Sequence, residues 1–156
     1  MILLRFWAYK IALISDIKQA HLNVEANEGE RKFLRYLWID NMKECNQSII
    51  TYQFTCVLFG LGPAQFLLVA TITKHLIENY KDDREFVAKF LRDPYIDDSI
   101  SGAHSSDAAF QLSLKSKYRL SQAGMSLRKW HSSDPELQRR LEQSVCVFEF
   151  EPFVRV

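Results

Sequence analysis

Pro94-Tyr95-Ile96-Asp97-Asp98-Ser99-Ile100-Ser101-Gly102 decides how the rest of the chain is read. Two adjacent carboxylates lie between β-forming residues, with Pro before and Gly after. Alternation with period two predicts a hairpin with the acidic pair at its tip. Neighbouring aspartates on a rigid turn repel one another unless water screens them or a cation lies between them. The chain has a second such pair, Asp82-Asp83, between Lys81 and Arg84. It reads as a solvated helix start, so the setting separates the two pairs.

Upstream, Lys10-Ile11-Ala12-Leu13-Ile14-Ser15-Asp16 is an apolar run too short for a typical helix and predicts a buried strand. Asp16 stands at its C-terminal end. By itself this residue reads as a cap for the following turn; it is also where an α/β framework places chemistry. Ile17 to Val24 leads into a polar loop, Glu25 to Glu30. Phe33 to Ile39 is expected to be a half-buried strand, and Ile49 to Phe59, rich in β-branched and aromatic residues, another. Gly60-Leu61-Gly62-Pro63 ends it. From Ala64 to Tyr80 the pattern turns helical, with Leu68, Ile72 and Leu76 as the stripe and Phe66, Ala70 and Ile77 broadening it. This helix is expected to be mostly buried.

Downstream, Glu85 to Leu91 predicts a short helix before the hairpin. Ser105-Ser106-Asp107 offers caps for a helix to about Gln122, with Phe110, Leu114 and Tyr118 as its stripe and Gly124 as its C-cap. Met125 to Trp130 reads as a strand, and Ser133-Asp134-Pro135-Glu136 opens a helix to Gln143. The expected fold class is α+β: an antiparallel sheet backed by helices.

The totals restrict function more than they assign it. The chain has 156 residues, 47% hydrophobic and 25% charged, which suits one globular domain and excludes disorder. Twenty basic and nineteen acidic residues give a net charge of +1, so bulk charge makes no case for nucleic acid. Cys45, Cys56 and Cys146 are scattered, without zinc spacing, and read as reduced thiols of an intracellular, cytoplasmic protein. Arg5 and Lys10 interrupt the apolar start, and no small-residue cleavage site follows, which argues against a signal peptide. The uncharged run Cys45 to Thr73 could span a bilayer by length, but the Gly60–Pro63 turn and Asn46, Gln47, Gln53 and Gln65 argue against it.

If Asp16 lies on a strand beside the hairpin, three carboxylates converge, and their repulsion calls for divalent metal. Their hard oxygens suit Mg²⁺ or Mn²⁺. Two such ions, roughly 3.5–4 Å apart, would clamp the attacking and leaving oxygens of a phosphoryl transfer.

These residues resemble a known family. Ser15-Asp16-Ile17-Lys18-Gln19-Ala20-His21-Leu22 looks like the first palm motif of reverse transcriptases. Phe59-Gly60-Leu61 with Phe66-Leu67-Leu68-Val69-Ala70-Thr71-Ile72 resembles the second. Tyr95-Ile96-Asp97-Asp98 matches the Tyr-x-Asp-Asp box. Gly124-Met125-Ser126-Leu127-Arg128-Lys129-Trp130, followed by Ser133 and Pro135-Glu136-Leu137, is similar to the segment after that box in the BEL/Pao class of LTR retrotransposons. Four motifs in order, from about Lys10 to Leu137, make coincidence a poor explanation.

The resemblance implies a partial reverse transcriptase palm domain over residues 1–137 and a C-terminal extension, 138–156, with no readable packing pattern. It implies catalytic Asp16, Asp97 and Asp98. The metal ligands would be Asp16, Asp97, Asp98 and the Ile17 carbonyl, holding two Mg²⁺ or Mn²⁺ ions. His21, Gly60 and Lys129 would be nucleotide-binding. The implied partners are an RNA or DNA template with its primer, and deoxynucleoside triphosphates. His21 departs from the aromatic residue by which the family excludes a 2′-hydroxyl. Pro63 comes two places early, with Gln65 in the usual Pro position. Arg128 and Lys129 also read as two exposed charges. The basic fingers residues are largely missing and nothing follows to supply a thumb. That leaves an alternative: a catalytically inactive remnant, at most a binding module.

Overall fold

The computed structural model of the protein describes residues 9–39, 48–92, 94–95 and 98–145. The predicted features at Cys45, Asn46, Gln47, Ile96, Asp97 and Cys146, and in the tail beyond Val145, lie outside the described residues. Over the described residues the architecture is α+β, with a four-stranded antiparallel sheet, a separate two-stranded one and four α-helices. The chain forms two compact units, one from residues up to 18 together with those from 72 onward, the other from 19–71.

The first unit holds the sheet. Strand β1, Ile11–Ile17, carries the expected apolar run and is its third strand, between β5 (Asp98–Ala103) and β6 (Leu127–Ser132); β4 (Pro94–Tyr95) is the far edge. Leu13, Ser15 and Ile17 are buried on one face of β1, and Ile14 and Asp16 alternate to the other, half-buried. The predicted hairpin has β4 and β5 as its arms, pairing Pro94 with Ser99 and Tyr95 with Asp98. Asp98 is thus a strand residue rather than the tip.

Helix α2, Arg84–Arg92, precedes the hairpin; α3, Ser106–Ser121, and α4, Pro135–Val145, follow it. Helix α3 packs on β1, β5 and β6, and α4 packs on β6 and α3. The Ser105 hydroxyl caps α3 by accepting from the Ala108 N–H, at 3.3 Å. At the other end, Met125 N–H bonds back to Leu120 and Gly124 N–H to Ser121, with Gly124 at φ 72°. This is the left-handed helix stop that glycine favours.

The face of α3 that goes inward differs from the expected one. Ala109, Ser113, Ser116 and Leu120 are buried, whereas Tyr118 is 63% exposed. Small residues let the helix axis approach the sheet closely, and Ser113 satisfies its hydroxyl on the Phe110 carbonyl. Helix α4 runs through the expected boundary at 137, with Leu137 and Leu141 both buried. Gln138 fastens it to β6, accepting from the Ser132 N–H and donating to the Trp130 carbonyl.

In the second unit, β2 (Arg35–Ile39) pairs with β3 (Ile49–Gln53) in a separate two-stranded sheet. β2 is exposed throughout rather than half-buried. β3 stops at Gln53, well short of Phe59; beyond it only Cys56 bridges, to Glu25. Helix α1, Ala64–Asn79, follows the Gly60–Pro63 turn; its residues 64–71 belong to the second unit and those from 72 to the first. Its stripe is the expected one, Leu68, Ile72 and Leu76, all buried. Phe66 and Ile77 are exposed, so the helix is buried along one stripe and not mostly. Among the described residues no helix is long and apolar enough to cross a membrane.

Candidate functional site

The site is built on β1 and its two neighbours. The β1–β5 register sets Asp16 directly opposite Asp98. Residues opposite one another in antiparallel strands project to the same face, with Cβ atoms about 5 Å apart. That face is the one away from Leu13, Ser15 and Ile17. Two residues 82 positions apart in sequence thus stand side by side on one face of the sheet. Among the described residues no group of three His, Cys, Asp or Glu side chains is arranged to hold a metal ion. Asp97, the third expected carboxylate, lies outside the described residues. The two that are described are hard oxygen donors on rigid strands, a donor set that suits a hard divalent cation.

On its other side, β1 pairs with β6, and here the ladder is irregular. Ile14 pairs with His131 and Asp16 with Arg128, so β6 carries one more residue than β1 between these pairs. Lys129 occupies the bulge at φ 51°, a left-handed conformation uncommon for a residue with a side chain. In a regular strand Arg128 and Lys129 would point to opposite faces. The bulge brings both to Asp16. Arg128 Nε donates to Asp16 Oδ2 at 2.9 Å, and Lys129 Nζ is 3.7 Å from the same oxygen. The Asp16 side chain is 20% exposed, Arg128 40% and Lys129 66%. Hydrogen bonds hold the strands on either side: Lys18 N–H bonds to the Ser126 carbonyl, and the Ser133 N–H donates to the Ala12 carbonyl while the Ser133 side-chain hydroxyl accepts from the Ala12 N–H.

The other expected site residues are distributed as follows. Ile17 is buried and pairs with Leu127. His21 lies in a 3₁₀ turn, Ala20–Asn23, within the second unit. It is 6% exposed, with its ring edge-on to Phe59 at 5.3 Å between centroids. His21 is therefore a packed aromatic partner of Phe59. Gly60, at φ 89°, makes the turn after Phe59 and is exposed. The structure brings Asp16, Asp98 and Lys129 together. Arg128 is the residue that sequence reasoning undervalued. Its adjacency to Lys129 was visible, but an alternating strand gives no reason to put both on one carboxylate.

The acidic pair at 82–83 has a different role. Asp83 caps α2 through the Phe86 N–H and binds Lys115 and Arg119 from α3, the latter at 2.5 Å. Arg119 lies over the Tyr80 and Phe86 rings. Asp83 is a structural anchor between α2 and α3, not a bare solvated cap.

No protein-family model matches the chain, and no curated protein matches it.

Proposed function

We propose that the chain carries the palm of an RNA-directed DNA polymerase of the BEL/Pao retrotransposon type. The observation that carries this reading is the register setting Asp16 opposite Asp98, on neighbouring strands of a helix-backed antiparallel sheet. The order of the four sequence motifs supports it. The substrates are a primer annealed to its template and a deoxynucleoside triphosphate; the primer 3′-hydroxyl displaces pyrophosphate from the α-phosphate.

In this reading Asp16, Asp97, Asp98 and the Ile17 carbonyl would hold Mg²⁺ or Mn²⁺. Such ions stabilise the charge that develops on the attacking and leaving oxygens. The chain's own contribution is positioning. The sheet fixes Asp16 and Asp98 before substrate arrives, which removes reorganisation from the reaction. Lys129 supplies positive charge at the edge of the site for the departing phosphates. His21, packed on Phe59, has little surface left for a sugar, so 2′-hydroxyl discrimination would rest on the backbone around it.

The alternative, an inactive remnant that acts at most as a binding module, is favoured by a separate observation: Arg128 already engages the Asp16 carboxylate. Primer extension by the full chain on an RNA template, with Mg²⁺ or Mn²⁺, separates the two. The polymerase reading expects extension that falls at least about 100-fold in Asp16→Asn and in Asp97→Asn. Extension that survives both substitutions removes the assigned site. A parent chain that extends nothing supports the remnant.

A further inference from the structure

We propose that Arg128 is the resident counter-ion of Asp16, which a divalent cation must displace in order to bind there. The inference rests on the reading of Asp16 and Asp98 as metal ligands and adds a competition to it.

The geometry is specific. Asp16 Oδ2 accepts a charge-assisted hydrogen bond from Arg128 Nε at 2.9 Å, with Lys129 Nζ at 3.7 Å from the same atom. A Mg²⁺ or Mn²⁺ ligated by that oxygen would sit about 2.0–2.2 Å from it. It would then share the atom with a guanidinium, and two cations on one carboxylate oxygen repel strongly where water is partly excluded. A lysine could relieve the conflict by losing a proton. An arginine cannot, because its guanidinium stays charged at any working pH. An ion on Oδ2 is therefore favoured only as the Arg128 side chain moves away from that oxygen.

Arg128 has a route to do so. It is 40% exposed, twice the exposure of Asp16, so its head can turn to water while the carboxylate stays in place. Lys129 is a weaker competitor: it is more exposed, and 3.7 Å is too long for a hydrogen bond. The bulge keeps Arg128 on this face, since it lets consecutive β6 residues both approach Asp16. Without metal, Arg128 offsets the charge that Asp16 presents beside Asp98. With metal, that function passes to the ion.

Mn²⁺ titrations of the full chain, followed by the electron paramagnetic resonance signal of the free ion, test this. The proteins are the parent, Arg128→Gln, Asp16→Asn and the double variant, at one ionic strength. Arg128→Gln is expected to bind Mn²⁺ roughly two- to fivefold more tightly than the parent, the range set by a partly exposed ion pair. Asp16→Asn is expected to lose this binding in either background. Equal or weaker binding by Arg128→Gln, with Asp16→Asn still deficient, overturns the competition and leaves the metal reading standing. Unchanged binding in both Asp16→Asn proteins, or no binding in the parent and Arg128→Gln alike, overturns both.

A second measurement needs no substitution. Modification of Arg128 by p-hydroxyphenylglyoxal is followed by peptide mass spectrometry, with exposed Arg139 as the internal reference. Saturating Mn²⁺ is expected to speed modification of Arg128 a few-fold relative to Arg139. An unchanged or slower rate overturns the displacement.

Discussion

Asp82 and Asp83 are the same letter twice, and only one of them carries structure. Asp83 accepts hydrogen bonds from Lys115, Arg119 and the Phe86 N–H. Lys115 above all, then Arg119, hold its pKa at about 2, against an ordinary 3.8, although partial burial pushes the other way. A carboxyl group with a lowered folded-state pKa gives up stability in acid, because the unfolded chain takes the proton first. Its contribution is whole above about pH 5 and fades as pH falls toward 2. Asp83→Asn keeps the helix cap, since Asn caps as well as Asp, and removes only the charge. Urea unfolding should show a loss of about 1 kcal/mol at pH 7, and a smaller drop in midpoint than the parent between pH 5 and 2. An equal drop in both proteins would show that another group titrates. The cap was legible from the spacing of Asp83 before an apolar helix. The partners were not: Arg119 lies 36 residues downstream, and only packing of α3 against α2 brings it back. The packing of His21 was illegible for the same reason, since nothing local announces the Phe59 ring beside it.

Elements were legible where burial has a period and illegible where the backbone departs from one. The β1 run and the Leu68, Ile72 and Leu76 stripe followed from pattern alone. On α3 the pattern misled, because Phe110, Leu114 and Tyr118 are the more hydrophobic set but Ala109, Ser113 and Ser116 fit closer to a sheet. The bulge in β6 was beyond reach altogether. Lys129 has a helix former's side chain in a left-handed conformation, which costs roughly 1–2 kcal/mol for a residue with a Cβ. What it gives in return is position: Arg128 and Lys129 on one face. Lys129→Gly removes the steric cost and loses only an exposed pair, so its urea midpoint should match or exceed the parent's, by up to about 1 kcal/mol. Lys129→Val, branched at Cβ, should lose at least about 1 kcal/mol. Lys129→Asn tolerates the left-handed region and removes the charge, and should fall between them. If Val were as stable as Gly, the strand would have to be regular in solution and the account of the site would lose its geometric cause.

Over the whole molecule, the separation of two units explains which long-range features the sequence revealed. In the first, pattern showed an acid at the end of an early strand and an acidic pair on a later hairpin, with their adjacency left as a condition, and the register sets Asp16 opposite Asp98. In the second, the strong β-forming runs suggested strands at least half-buried, whereas Leu37 and Ile49 are 69% and 67% exposed on a two-stranded ribbon. Residue type reports the tendency to be extended, not what covers the strand. The two settings differ in what must break for the backbone to open. A β1 amide belongs to a strand paired on both sides and carrying buried Leu13 and Ile17, so exposing it requires loss of the sheet core. A β2 amide is held by one ladder with little burial, and two-stranded ribbons of this kind are marginal by themselves. Hydrogen exchange should therefore be at least about 100-fold slower for the paired amides of Ile11–Ile17 than for those of Arg35–Ile39. Stabiliser and denaturant add a control. Amides that open by global unfolding should speed up with urea, and those that open locally should not. Equal protection of the two strands would mean that β2 and β3 open only with the sheet. The two units would then unfold as one, and the exposed ribbon would owe its order to the same cooperative transition that holds Asp16 in place.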